Sequence, residues 1–201
     1  MSVISTRVPP SPSQDPVYRL TVEQYHAMIE ARVLTENDPV EFLEGVLVFK
    51  MPKNPPHSYS TDVAQKAFEA ILPHSWCYKA QEPITLADGE PEPDGAVIWG
   101  SLRDYRQRHP GPADIALVIE VADSTLSQDR GIKLRSYARA GIPVYWIINL
   151  AERCVEVYTG PNNMAPEPAY DHRRMYSVSD SVPVVIGDRP VGSINVADLL
   201  P

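Results

Sequence analysis

Three runs decide the fold: Asp114-Ile-Ala-Leu-Val-Ile-Glu-Val121, the segment Ser127 to Ala140, and Val144-Tyr-Trp-Ile-Ile148. The first is almost continuously apolar, the mark of a strand covered on both faces. The second carries Leu134, Tyr137 and Ala138 at helical spacing. It ends at Gly141, suited to the left-handed residue that closes a helix. The third is another two-faced strand. Strand, helix, strand with short joins is a βαβ unit, which predicts a parallel pair with a right-handed crossover. The expected class is α/β, with a mixed central β-sheet flanked by helices.

Upstream, Thr21 and Gln24 form a capping-box pattern, and Val22, Tyr25, Met28 and Ile29 follow at helical spacing. Residues 40–49 are two apolar stretches around Glu44-Gly45, a predicted β-hairpin, which Pro52, Pro55 and Pro56 end. A helix is expected from His57 to about Leu72, with Val63, Ala67, Ala70 and Ile71 inward and Pro73 as its stop. Trp76–Lys79, Ile84–Leu86 and Asp94–Trp99 are strand candidates, the last launched by Pro93. In the polar stretch 100–113, Ser101 and Asp104 suit a short capped helix. Downstream, Cys154–Tyr158 reads as a hairpin partner, 160–174 as loop and 182–200 as a terminal hairpin. Residues 1–17, rich in Ser and Pro, read as a flexible arm, leaving 18–201 as one domain.

The 201 residues suffice for one sizeable core. With 22% charged and 43% apolar residues, general disorder is excluded. Eighteen basic against 26 acidic residues give a net charge of −8. That excludes coating nucleic acid through bulk positive charge, though not a local basic groove. Cys77 and Cys154 make no zinc spacing, CxxC pair or dense disulfide framework. The longest strongly apolar runs, Ile115–Ile119 and Val144–Leu150, fall far short of the ~20 residues that span a bilayer, and the N-terminus lacks an apolar signal region. These features predict a soluble protein of the reducing cytoplasm with no membrane partner.

Glu120 interrupts the apolar central strand. An ionised carboxylate there is costly unless paired or bound to a cation. Asp94 is one candidate neighbour. If its strand runs antiparallel to residues 115–121, its start lies beside their end, and two adjacent carboxylates repel unless a divalent metal separates them. Oxygen ligands suit Mg²⁺ or Mn²⁺ rather than zinc. Lys133 is the second. Six residues into its helix is roughly 9 Å of return, against roughly 3–7 Å back along the strand to Glu120. Glu41 and Glu44 in the first hairpin, and His57 at a helix start, complete the set; at that positive helix end a neutral imidazole is favoured.

Each has a plainer reading. Asp94 could cap a turn after proline, and Glu120 could form a salt bridge to Lys133 or Arg135. Lys133 could pair with Asp129 at i,i+4. His57 could be an ordinary helix-start residue, Glu44 a solvated turn residue and Asp129 a first-turn partner of the helix dipole. Arg103, Arg106, Arg108 and His109, with Arg130, Arg135 and Arg139, could track a phosphate backbone or simply face water. Tyr145 and Trp146 are expected in the core.

Taken together, Glu41-Phe-Leu-Glu44-Gly45 with a Pro-rich turn and His57, then Pro93-Asp94, then Val118-Ile-Glu120-Val121 with Ser124, Asp129 and Lys133, then Tyr137-Ala-Arg-Ala-Gly141-Ile-Pro-Val-Tyr-Trp146, resembles the Uma-type restriction endonuclease family of the PD-(D/E)XK nuclease superfamily. The resemblance covers about residues 20–160 and is most specific from Glu120 to Trp146. It implies a restriction-endonuclease-like core in which Asp94 and Glu120 bind Mg²⁺ (Mn²⁺ substituting), with the Val121 carbonyl as an extra ligand. Lys133, Glu41 and His57 are the implied further site residues. The superfamily lysine usually stands two residues after the glutamate, where this chain has Ala122; family members commonly carry it on the following helix, which matches Lys133. Gly95 replaces the β-branched residue usual after Pro-Asp, which is expected to loosen that strand.

The function so implied is metal-dependent hydrolysis of DNA phosphodiesters by a homodimer, two sites cutting two strands. The rival is a nuclease-fold binding module without catalysis, which the acidic balance favours. Glycoside hydrolysis by two carboxylates is a weaker third reading, because the aromatic residues fall at core-facing positions rather than along a sugar cleft.

Overall fold

The computed structural model describes residues 17–164 and 167–201, so the arm expected at 1–17 lies outside them except for Val17. In chain order the elements are α1 (Val22–Glu30), β1 (Val40–Leu43), β2 (Val46–Phe49), α2 (Pro55–Ile71), β3 (Trp76–Lys79), β4 (Gly95–Trp99) and β5 (Ile115–Ala122). After them come α3 (Leu126–Gln128), a π-helical segment Asp129–Lys133, α4 (Leu134–Arg139), β6 (Val144–Asn149), β7 (Cys154–Asn162), β8 (Ala169–Ser177), β9 (Ser181–Ile186) and β10 (Arg189–Asn195). Among the described residues, no helix is long and apolar enough to cross a membrane.

Six strands form one sheet in the order β3-β4-β5-β6-β7-β8. Only β5 and β6 pair in parallel, as the βαβ reading requires; every other pairing in that sheet is antiparallel. All eight residues of β5 are buried. Its alternating side chains feed two cores. Leu117, Ile119 and Val121 meet Phe68 of α2 and the hairpin β9–β10, while Val118 and Ala122 meet Tyr137, Tyr145 and Ile147 on the opposite face.

Local chemistry explains most element ends. Thr21 and Gln24 form the capping box at α1. Gly141 takes φ +74° after α4. Pro55 and Pro56 end the hairpin segment but also open α2, where the missing N–H costs nothing, and Asn54 rather than His57 caps it. The fully buried stripe of α2 is Ser60, Thr61, Ala64 and Phe68; of the expected residues, Ala67 and Ile71 pack partly buried against the core, while Ala70 is exposed. The buried stripe begins with two small hydroxyl residues, which an apolar periodicity passes over.

Other expectations change. Ile84 and Leu86 are buried but join no ladder; their N–H groups go to Pro91 and Gly89. Residues 160–174 are loop only in part: β7 runs on to Asn162 and β8 begins at Ala169, with Pro161 opposite Tyr170. The helix expected over 127–140 is broken, with Gly131 at the non-helical φ −109°, ψ −105°. Cys77 and Cys154 are both free thiols.

The first hairpin leans inward. Glu44 (φ +47°) and Gly45 (φ +76°) make its tight turn, and a Cβ on Gly45 would lie 2.6 Å from the Arg19 Cβ. Glu44 is no solvated turn residue. It is buried, paired at 3.2 Å with both Arg135 and Arg139, so the turn clasps α4.

Gly95 does not loosen β4. A Cβ there would stand 1.8 Å from the buried Tyr78 hydroxyl, so the glycine makes room for the tyrosine ring beside Asp94. Gly95→Ala is therefore expected to cost about 1–3 kcal/mol through overpacking, read as a fall of several degrees in Tm by circular dichroism. An unchanged Tm would mean Tyr78 can swing aside freely.

Candidate active site

The antiparallel β4–β5 pairing sets Gly95 opposite Ile119. Asp94 therefore stands at the entry of β4, beside the exit of β5 where Glu120 lies. The Val121 N–H donates to Asp94 Oδ2 at 2.9 Å, tying the two strand ends together. His57, in the first turn of α2, reaches the same oxygen with Nε2 at 3.1 Å. Its own N–H donates to the Asn54 side chain at 3.0 Å, and Asn54 also donates to Asp123 after β5. The helix start is thus anchored over the strand ends.

Lys133 arrives from the other face. Its Nζ lies 2.9 Å from Glu120 Oε1 and 3.5 Å from Glu41 Oε2. It does not form the i,i+4 pair with Asp129. Tyr137 also donates to Glu120 Oε1, at 2.7 Å. Glu41 is oriented by the Glu92 N–H, 2.6 Å from its Oε1. All five residues singled out, Glu41, His57, Asp94, Glu120 and Lys133, line one cleft of about 110 Å³, whereas Val121 is not among its lining residues.

The same cleft holds Asp129, expected as a first-turn dipole partner, and Asn54, which the sequence reading did not single out. Asp129 is buried and accepts from Thr125 Oγ1 at 2.6 Å. The i,i+4 spacing to Lys133 was its signal, but in the π-helical segment both residues turn toward the cleft. Asn54, three residues before His57 and followed by two prolines, was legible as a helix cap.

Oxygen bookkeeping shows what the cluster can hold. Asp94 is contacted at Oδ2, Glu120 at Oε1 and Asp129 at Oδ2. Among the described residues no donor meets the second oxygen of any of the three. Each carboxylate is thus held by one oxygen and has the other uncommitted. Six acids and three lysines line the cleft, so it is short of positive charge. Burial pushes Glu120 well above the usual carboxylate range, with Lys133 opposing. Burial likewise raises Asp129 to about 6. For Asp94, the hydrogen bond and charge of His57, the Val121 N–H and Lys133 together outweigh burial and hold the carboxyl below its ordinary value. Burial would depress the Lys133 ammonium, but Glu120, Glu41 and Asp129 hold it above its ordinary range. In donor type the set is all oxygen, which suits a hard cation such as Mg²⁺ or Mn²⁺ better than zinc, but among the described residues the one trio whose ligand atoms converge within 4.8 Å is Glu152, Cys154 and Glu156, outside this cleft.

With this geometry in view, comparison with known proteins is decisive at one point. The family model "Uma2: Putative restriction endonuclease" matches residues 22–191. The chain belongs to this family. The match runs past the resemblance at 20–160 and takes in β8 and β9. No curated protein matches the chain. In fold, this Uma2 member is similar to a putative nuclease belonging to DUF820 from Anabaena variabilis, with a TM-score of 0.61 at 17% identity over 86% of this chain and 96% of that one. The six-stranded mixed sheet with its flanking helices is thus a restriction-endonuclease-like core.

Asp129 supplies a test of the charge imbalance. Its carboxyl keeps a proton to about pH 6 in the folded chain but only to about its ordinary 3.8 when unfolded. Between those values the native state binds more protons, so stability falls as pH rises, and the penalty is complete above the window. Asp129→Asn removes it. The expected gain is about 1–3 kcal/mol at pH 8 in EDTA, vanishing near pH 3. Urea denaturation at both pH values measures it; coincident curves at pH 8 would refute the imbalance.

Proposed function

We propose that this Uma2 chain is a metal-dependent endonuclease that hydrolyses DNA phosphodiester bonds, using Mg²⁺ with Mn²⁺ as a substitute. One observation carries the reading: Asp94, Glu120 and Asp129 each present an uncommitted carboxylate oxygen to a cleft that also holds a charged lysine. The family's description as restriction endonucleases supports DNA as the substrate. The reading also entails a homodimer, one site per strand, acting in the cytoplasm where DNA is accessible.

Asp94 and Glu120, with Asp129 beside them, would hold the ion, which when bound polarises a phosphoryl oxygen and makes a bound water more acidic. The remaining steps belong to the protein. Tyr137 and Lys133 pin Glu120 by Oε1, and no donor among the described residues meets Oε2. His57 and the Val121 N–H do the same for Asp94 by Oδ2. Lys133, kept protonated by three carboxylates, carries a fixed positive charge to where negative charge grows on the phosphorus oxygens. Its charge is set before substrate arrives, so little reorganisation accompanies the reaction.

Plasmid and oligonucleotide cleavage with Mg²⁺ or Mn²⁺ tests this. Glu120→Gln and Asp94→Asn are expected to lose about 10³-fold or more, and Lys133→Met about 10²–10³-fold, the scale for removing one preorganised charge. EDTA should abolish cleavage. Wild type that cuts no DNA and matches Glu120→Gln would overturn the proposal in favour of a non-catalytic module.

A further inference from the structure

A second buried carboxylate stands in line with the first. Glu120 on β5 pairs with Ile147 on β6, and Ile147 pairs with Glu156 on β7. Directly paired residues share a face, so Glu120 and Glu156 rise from the same side of the sheet, two strands or about 10 Å apart. Glu156 is fully buried and lies outside the cleft.

Each of the two acids meets a cation from the same five-residue segment. Lys133 Nζ lies 2.9 Å from Glu120. Arg130 Nη2 lies 2.5 Å from Glu156 Oε1, and its Nε lies 3.1 Å from both Glu156 oxygens. Arg173 at 2.8 Å, the Tyr158 hydroxyl at 2.7 Å and Asn149 Nδ2 at 3.0 Å complete the shell around Glu156. The segment between the two anchors is the π-helical one, broken at Gly131, and so lacks the regular helical ladder that would otherwise fix where Lys133 points. A third fastening is the Tyr145 hydroxyl, which donates to the Asp129 carbonyl at 3.1 Å.

We propose that Glu156 is a positioning residue: by gripping Arg130 it seats the broken turn so that Asp129 and Lys133 enter the cleft beside Glu41 and Glu120. The grip is a planar guanidinium fork on a carboxylate, which fixes orientation as well as distance. Solubility does not require it, because a carboxylate on the surface is hydrated at no cost, and burying Glu156 is worthwhile only where a geometry must be held. The rate consequence rests on the nuclease reading; the seating of Lys133 does not.

The test uses both levels. Reductive methylation of the whole protein, followed by peptide mass spectrometry, reads how accessible Lys133 is. In wild type Lys133 is expected to label at least tenfold more slowly than the exposed Lys53. Glu156→Gln, which conserves volume, and Arg130→Met are each expected to accelerate Lys133 labelling at least tenfold with Lys53 unchanged. Arg173→Met, which strips Glu156 of its other arginine without touching the segment, should leave Lys133 protected, and Arg130→Lys should restore part of the protection. On DNA, Arg130→Met is expected to lower kcat about 10–100-fold with KM unchanged, and to cost nothing further in a Lys133→Met background.

Folded Glu156→Gln and Arg130→Met proteins with Lys133 still protected would overturn the proposal, whatever their activity. Should one variant fail to fold, the other and Arg130→Lys decide. Wild type that cuts no DNA while Lys133 labelling responds as expected would overturn the nuclease reading and leave the positioning role standing.

Discussion

An ionisable carboxylate in the dry centre of a β-sheet is the constraint from which the rest of this molecule follows. Glu120 has β-strands on both sides, and water reaches almost none of it. Charge buried this way must be met by protein groups or by an ion. The chain meets one oxygen with Lys133 and Tyr137 and leaves the other open. It then adds to the charge by placing Asp94, Glu41 and Asp129 around the same cleft. A fold selected only for stability would have an apolar residue at position 120, as at 118 and 122 on the same face.

The cationic side chains show the same economy of purpose. Arg135 and Arg139 hold the hairpin turn through Glu44, and Arg139 also holds Asp88. Arg130 holds Glu156 and Glu152. A helix that looks in sequence like a basic face for phosphates is therefore committed to internal carboxylates. Arg108 is likewise paired with Asp114. Among the residues of the two basic clusters, Arg103 and Arg106 are exposed without a carboxylate partner among the described residues. A chain of net charge −8 whose arginines on the crossover are all paired with carboxylates has little long-range attraction for a polyanion. On the proposed reading, such a surface would engage nucleic acid through short-range contacts at the cleft.

Legibility followed how local the determinant was. Glu120 stood out because its neighbours in sequence are all apolar, and Asp94 because a proline precedes it at a strand start. The parallel pair could be read because β5, the crossover and β6 are contiguous. What escaped depended on partners far along the chain. Glu44 looks like a turn residue until α4, 91 residues on, brings Arg135 to it. Residues 160–174 looked like loop because of their prolines. β6, however, has its last partner at Thr159, so beyond that point β7 has no neighbour on that side for Pro161 to disappoint. The break at Gly131 was hidden because glycine inside a helical pattern is tolerated often enough to pass unnoticed.

On the proposed reading, the place of the lysine ties these observations together. At position 122, two residues after the glutamate, a lysine would share the face of Glu120 and inherit its placement from the sheet's own hydrogen bonds. Here that position is a fully buried alanine packed against the α4-side core, and its carbonyl is taken by the Leu150 N–H. Supplying the ammonium from the crossover instead puts it on a segment with irregular backbone and a long side chain, both of which lose precision. Precision must then come from elsewhere. The carboxylate row Glu120–Ile147–Glu156 provides two fixed points on the rigid sheet, and the segment 129–133 spans them with one cation at each end. On this view the buried carboxylate on β7 that grips Arg130 is the structural counterpart of carrying the lysine on the crossover rather than on the strand.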